Sequence, residues 1–228
     1  MGRRSGIWTH LVLNILCFFS MMGATAHADM MLDFGIVTPT TGSISYAGGA
    51  APLVGLGIDV DIVTGLPSGT SAACVGCVLN FITGNLTAST ATSWDFGGSP
   101  TSSITLVGTV PMAGITTPTV LLTGQFGSAA VNKFGGTFKI AGASFDDTKD
   151  ADLLTYFGLP SGPYAGNFNI SFLATGSPPG WFTSTTVLSG DVVNTPVPET
   201  SSTVLLGVAL AGIAYLARRQ RWLGHCHG

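Results

Sequence analysis

Cys74-Val75-Gly76-Cys77 is the only C-x-x-C pair in this 228-residue chain. That spacing serves three chemistries: a dithiol redox centre, half of a zinc site, or a disulfide. A redox centre needs a strand-to-helix setting, which the Gly- and Thr-rich surroundings do not offer. Zinc needs four ligands, and between residues 29 and 195 there is neither a second C-x-x-C nor any histidine. In an oxidising compartment the expected state is a local Cys74–Cys77 disulfide pinching a turn.

The second group is acidic. Asp146, Asp147, Asp150 and Asp152 are oxygen donors of the kind Ca²⁺ takes, and form a weak calcium candidate. Asp59 and Asp61 alternate on an apolar stretch, which reads more simply as the solvated face of a strand. No EF-hand pattern is present, and no other metal or cofactor is expected. A Ser or Cys triad lacks its histidine in this region, and no arginine is available to hold an oxyanion. A hydrolase built from two aspartates is chemically allowed, but nothing in the spacing sets two of them across a cleft. Trp94 and Trp181 are either core residues or platforms on which a sugar ring stacks.

The charges sort by position. All arginines and histidines lie in the two terminal segments, and Glu199 is the only glutamate; between residues 29 and 195 stand ten aspartates and three lysines, Lys133, Lys139 and Lys149. A mildly acidic surface without basic clusters argues against nucleic acid as a partner.

The elements that must position these groups read as strands. Phe168, Ile170 and Phe172 alternate with Asn167, Asn169 and Ser171, the period-two signature of a half-buried strand. Segments 58–62 and 137–140 repeat it, and 43–46, 78–83, 86–96, 104–110, 120–126 and 185–193 are further candidates. About nine strands separated by glycine turns predict an all-β domain, an antiparallel β-sandwich of jelly-roll or Ig-like type. One short helix is expected over 147–158, capped by Asp146 or Asp147 and closed by Gly158.

The ends address the chain. Arg3-Arg4, an apolar stretch over 7–22 and Ala26-His27-Ala28 predict a secretory signal peptide, 1–28, cleaved by signal peptidase before Asp29. Segment 203–217 is uncharged; as a helix it spans roughly 22 Å, short of the ~30 Å bilayer core. Arg218, Arg219 and Arg221 follow as a membrane stop that stays cytoplasmic. Residues 29–194 then form an exported domain. Residues 195–228 form a proline-bearing linker and a sorting segment with a transmembrane helix at 203–217.

Val197-Pro198-Glu199-Thr200, Leu205-Leu206-Gly207, Leu210-Ala211-Gly212 and Arg218-Arg219 together resemble the PEP-CTERM sorting signal of Gram-negative bacteria. Thr200 stands where that signal has a second proline. A sortase signal of the LPXTG kind would need Leu and Gly where Val197 and Ser201 stand. The resemblance covers about a tenth of the chain. It implies processing by an exosortase-type membrane protease, an inner-membrane-tethered precursor, and a mature protein at the cell surface or in the exopolysaccharide of a biofilm. The function expected is that of an exported surface protein with no catalytic activity of its own. A carbohydrate-binding module of the matrix is the alternative, and an aspartate-based secreted hydrolase the second.

Overall fold

Alternating burial writes most of the chain as strand. The computed structural model describes residues 30–38 and 40–197, together with residues 206, 207, 209, 210, 212 and 213, which are helical. Ten strands follow in order: β1 (Met31–Ile36), β2 (Ser43–Tyr46), β3 (Pro52–Leu66), β4 (Thr70–Ser89), β5 (Ser93–Gly97), β6 (Ser103–Val110), β7 (Ile115–Phe134), β8 (Thr137–Lys149), β9 (Tyr164–Gly176) and β10 (Phe182–Pro196). The helix α1 (Ala151–Phe157) lies between β8 and β9. The protein is all-β and every strand pairing is antiparallel.

The pairings close on themselves. β3 pairs with β4, β4 with both β5 and β6, and both of these with β7; β7 leads through β8 and β9 to β10, and β10 returns to β3 through both β1 and β2. Two staves of this ring are broken: β1 is continued by β2, and β5 by β6. Closure removes the open edges on which sheets aggregate. With each broken stave counted once, the ten strands make eight staves, a number at which the lumen is just wide enough to be filled by side chains. Phe34, Phe81, Trp94, Phe96, Phe138, Phe168, Phe172 and Phe182 fill it, each buried. Their rings meet across the interior, Phe81 with Phe168 at 5.0 Å and Trp94 with Phe182 at 4.7 Å between centroids.

Two glycines make room for this packing. Gly55 lies opposite Phe81, and Gly166 opposite Phe145. A Cβ on Gly166 would sit 2.0 Å from the Phe145 ring, and one on Gly55 2.1 Å from the Phe81 ring. The missing side chains let each aromatic lie flat over the neighbouring strand.

The ring has two poles. Turns after β2, β4, β7 and β9 gather at one of them. Residue Met30, the turn between β3 and β4, α1 and the exit of β10 gather at the other, where Leu32 pairs with Asn194 and Met31 with Leu66. α1 covers this second pole: Leu153, Leu154 and Phe157 are buried, and the Phe157 ring lies over Gly65 of β3.

Three expectations change. Met31–Ile36 is a strand that the sequence reading does not include. Segment 86–96 is the end of β4, a turn, and β5; Thr90 N donates to Ser93 O at 3.0 Å and the two hydroxyls lie 2.8 Å apart, so local hydroxyl turn chemistry breaks the run. The helix starts at Ala151, not at Asp147, because β8 keeps its pairing with β7 as far as Lys149 opposite Leu122. Gly158 closes it as expected, with a φ of 67° and its N–H on the last carbonyls. Among the described residues no helix is long and apolar enough to cross a membrane. The signal segment 1–28 lies outside the described residues, as do Asp29, Pro198, Glu199, Thr200 and Arg218, Arg219 and Arg221.

Candidate functional site

Cys74 and Cys77 are joined as a disulfide, with Cα atoms 5.6 Å apart. It does not pinch a turn. The pair lies inside β4, at a bulge where Gly76 has a φ of 61°. Residues three apart on a regular strand face opposite sides. The extra residue at the bulge resets the alternation, so both cysteines face inward and are buried. Gly108 on β6 leaves the space that Cys77 Sγ occupies.

The acidic cluster comes apart by the same alternation. Asp146 faces out, and Asp147 faces in and is 4 % exposed. Asp150 turns back as the cap of α1; its Oδ1 accepts from Asp152 N at 3.0 Å and Leu153 N at 3.1 Å. Asp152 is exposed on the first turn of the helix. Among the described residues no three His, Cys, Asp or Glu side chains converge as metal ligands, so the calcium candidate has no common centre. Asp61 is likewise engaged locally, its Oδ2 accepting from Val37 N at 2.8 Å.

Beneath α1 lies a polar cluster that the sequence reading does not anticipate. Asp147 and Lys149 form an ion pair whose side chains are both fully buried. Lys149 Nζ also donates to Asn194 Oδ1 at 3.1 Å and lies 4.8 Å from the centre of the Tyr164 ring. Asn194 Nδ2 donates to Val192 O at 3.1 Å and Leu32 O at 3.3 Å. The Tyr164 hydroxyl donates to Pro160 O at 2.6 Å. Asp147 Oδ2 is buried with no hydrogen-bond partner among the described residues.

Burial dominates the electrostatics of this cluster. It pushes the Asp147 carboxyl up to about 6, against the pull of Lys149. Burial likewise pulls the Lys149 ammonium down to about 8, although Asp147 opposes it. Tyr164 is pushed up to about 12 by burial and by Asp147. Two open hollows flank the cluster on the outside: one of about 650 Å³ beneath α1 touching Lys149 and Leu154, the other of about 490 Å³ touching Asp146, Asp147 and Gln125.

A second carboxylate feature lies on the outer face. Asp33 of β1 has its pKa raised by burial and by Asp191 of the adjacent β10. Neither residue lines the two hollows.

The tryptophans divide cleanly. Trp94 is fully buried, and its indole N–H donates to Gly180 O at 3.0 Å. Trp181 is 56 % exposed, in the turn leading into β10 at the pole away from α1. Phe134, also exposed, ends β7 at that pole.

No family model matches this chain, and no curated protein or solved structure is significantly similar to it.

Proposed function

We propose that this chain is an exported surface protein whose body is displayed, not catalytic, and whose C-terminal segment is a PEP-CTERM-like sorting signal. The observation that carries the reading is the pairing of Leu32 with Asn194. It brings the start and the end of the body to one pole. A signal peptide at 1–28 and a membrane helix at 203–217 would thus attach at that pole, leaving the opposite one free to face outward. Val197 leaves β10 on the outside, its N–H held by Pro163 O at 3.0 Å. In sequence the motif Val197-Pro198-Glu199-Thr200 follows directly on β10, where an exosortase-type protease at the membrane surface would meet it. A lumen filled by buried aromatic side chains suits display. The finer fold in this reading is a flattened antiparallel β-sandwich of jelly-roll or Ig-like type with its sides closed by hydrogen bonds; aromatic contacts across the interior, such as Phe81 with Phe168, support it.

Mass spectrometry of the mature protein's C-terminus tests the sorting reading. The expected product ends near Glu199, is found outside the inner membrane, and lacks Arg218–Arg221. A mature form that keeps those arginines overturns it.

Trp181 favours a second reading, a carbohydrate-binding module of the exopolysaccharide matrix. An exposed indole on a turn is a stacking surface for a sugar ring, and it projects from the pole away from the tether. Trp181→Ala should abolish retention of the exported body on matrix polysaccharide while leaving its thermal midpoint unchanged. Equal retention of both proteins, or none of either, removes this reading.

A further inference from the structure

We propose that Lys149 and Asn194 are joined by an intramolecular isopeptide bond that the protein forms by itself, with Asp147 moving the protons. Three observations carry it. The Lys149 amine is already docked on the Asn194 amide, Nζ to Oδ1 at 3.1 Å. The amide is held in place through its nitrogen by the carbonyls of Val192 and Leu32. The third group, Asp147, touches the amine with one oxygen and has its other oxygen buried without a partner. All three side chains are shut off from water. The Tyr164 ring forms a wall beside the amine.

The chemistry needs a neutral amine, which an exposed lysine scarcely offers at neutral pH. Here desolvation acts on both partners of the ion pair in the direction that favours their neutral forms. Burial raises the Asp147 carboxyl and lowers the Lys149 ammonium, so proton transfer from the ammonium to the carboxylate is far less uphill here than between the free groups. In water the same transfer costs on the order of a millionfold or more.

The step balances without any other reactant. Asp147 takes a proton from the Lys149 ammonium, and the freed lone pair on Nζ adds to Asn194 Cγ. The carbonyl π pair moves onto Oδ1, which Asp147 protonates. Asp147 then carries a proton from Nζ to Nδ2. The Cγ–Nδ2 bond breaks with its electron pair on nitrogen, and the Oδ1 proton is given up as the carbonyl re-forms. One C–N bond forms, one breaks, and Nδ2 leaves as ammonia together with the ammonium's spare proton. Nothing is oxidised or reduced. The hollow beneath α1, which residue Lys149 helps to line, lies on the side by which the ammonia would leave.

The bond would span 45 positions of sequence. It would also link strands that do not pair with each other: Lys149 ends β8, Asn194 lies near the end of β10, and β9 runs between them. Tension arriving through residues 195–228 would then pass into β8 by a covalent path, where otherwise it would peel β10 from β9 one hydrogen bond at a time. For a domain tethered at that end, this is where a cross-link has most effect.

Intact mass and peptide mapping of the full chain, produced in an exporting host, test the proposal. The expected protein is lighter than its processed, disulfide-bonded sequence by one ammonia, with a branched peptide joining Lys149 to Asn194. Asp147→Ala should keep the ammonia. Asn194→Asp should give the same branched peptide with loss of water. A wild-type protein of full sequence mass overturns the proposal, whether or not the variants fold. So does a mass loss that maps elsewhere, including a bond from Lys149 to Asp147.

Discussion

Trp94→Ala should lower the free energy of unfolding by about 3–5 kcal/mol, the range for removing a fully buried tryptophan. Trp94 has no exposed surface, stacks on Phe138 at 5.6 Å and meets Phe182 edge-on at 4.7 Å. Its N–H satisfies Gly180 O. Truncation would remove contacts with β8 and β10 from a residue on β5, on the far side of the lumen. It would also leave a carbonyl of the turn before β10 without its donor. The surrounding rings sit on a closed ladder of strands, which resists the collapse that would otherwise fill the cavity. Trp181→Ala supplies the contrast: an exposed indole costs within about 0.5 kcal/mol. Urea denaturation of both variants checks the pair of values. A loss below about 1.5 kcal/mol for Trp94→Ala would mean that the lumen is far looser than the ring contacts require.

Much of this fold is legible because alternation is a local signal. Phe168, Ile170 and Phe172 announce β9 without help from the rest of the chain, and so do Ile58 and Val60 for β3. Ring closure is not local. It depends on β4 and β7 being long enough for each to pair with both β5 and β6, and on bulges at Thr87, at Gly76-Cys77 and at Leu121 that change register without a shared sequence mark. The acidic cluster is misleading for a related reason. Four aspartates within seven residues look convergent, but a strand sends Asp146 and Asp147 to opposite faces, and the cap sends Asp150 back toward its own helix. Lys149 and Asn194 are invisible as a pair. Nothing in two polar residues so far apart in sequence marks them as neighbours, and only the passage of β9 between β8 and β10 brings them together. A lysine preceded by a run of aspartates reads as solvated. Its burial follows from α1 folding over it, and that depends on Leu153, Leu154 and Phe157 sharing one face.

The same burial sets the other large effect. Measured against protein in which the Lys149–Asn194 bond has not formed, Lys149→Met should destabilise by about 3–5 kcal/mol at neutral pH, because it leaves the Asp147 carboxylate buried without its partner. The double variant Asp147→Asn, Lys149→Met should recover much of that loss, since removing both charges is close to neutral where removing one is not. The pH dependence distinguishes this account from a simple loss of packing. Asp147 has a folded-state pKa raised from 3.8 to about 6. The native state therefore holds its proton more tightly than the unfolded chain. The resulting stability is fully present below pH 3.8 and is lost as pH rises through about 6. It amounts to about 3 kcal/mol across that window. Asp33, also raised by burial, acts in the same direction. In Lys149→Met the ammonium that holds Asp147 down is gone, so the folded pKa rises further and the variant should regain stability steeply on acidification. Formation of the Lys149–Asn194 bond would also remove that ammonium, which leaves the sign of the Asp147 slope unchanged. Denaturation of the single and double variants between about pH 4 and pH 7 measures it. A Lys149→Met penalty that is the same at both ends of that range, or that survives in the double variant, would assign the loss to the lysine's packing beside Tyr164 or to the missing Lys149–Asn194 bond, and not to an uncompensated charge.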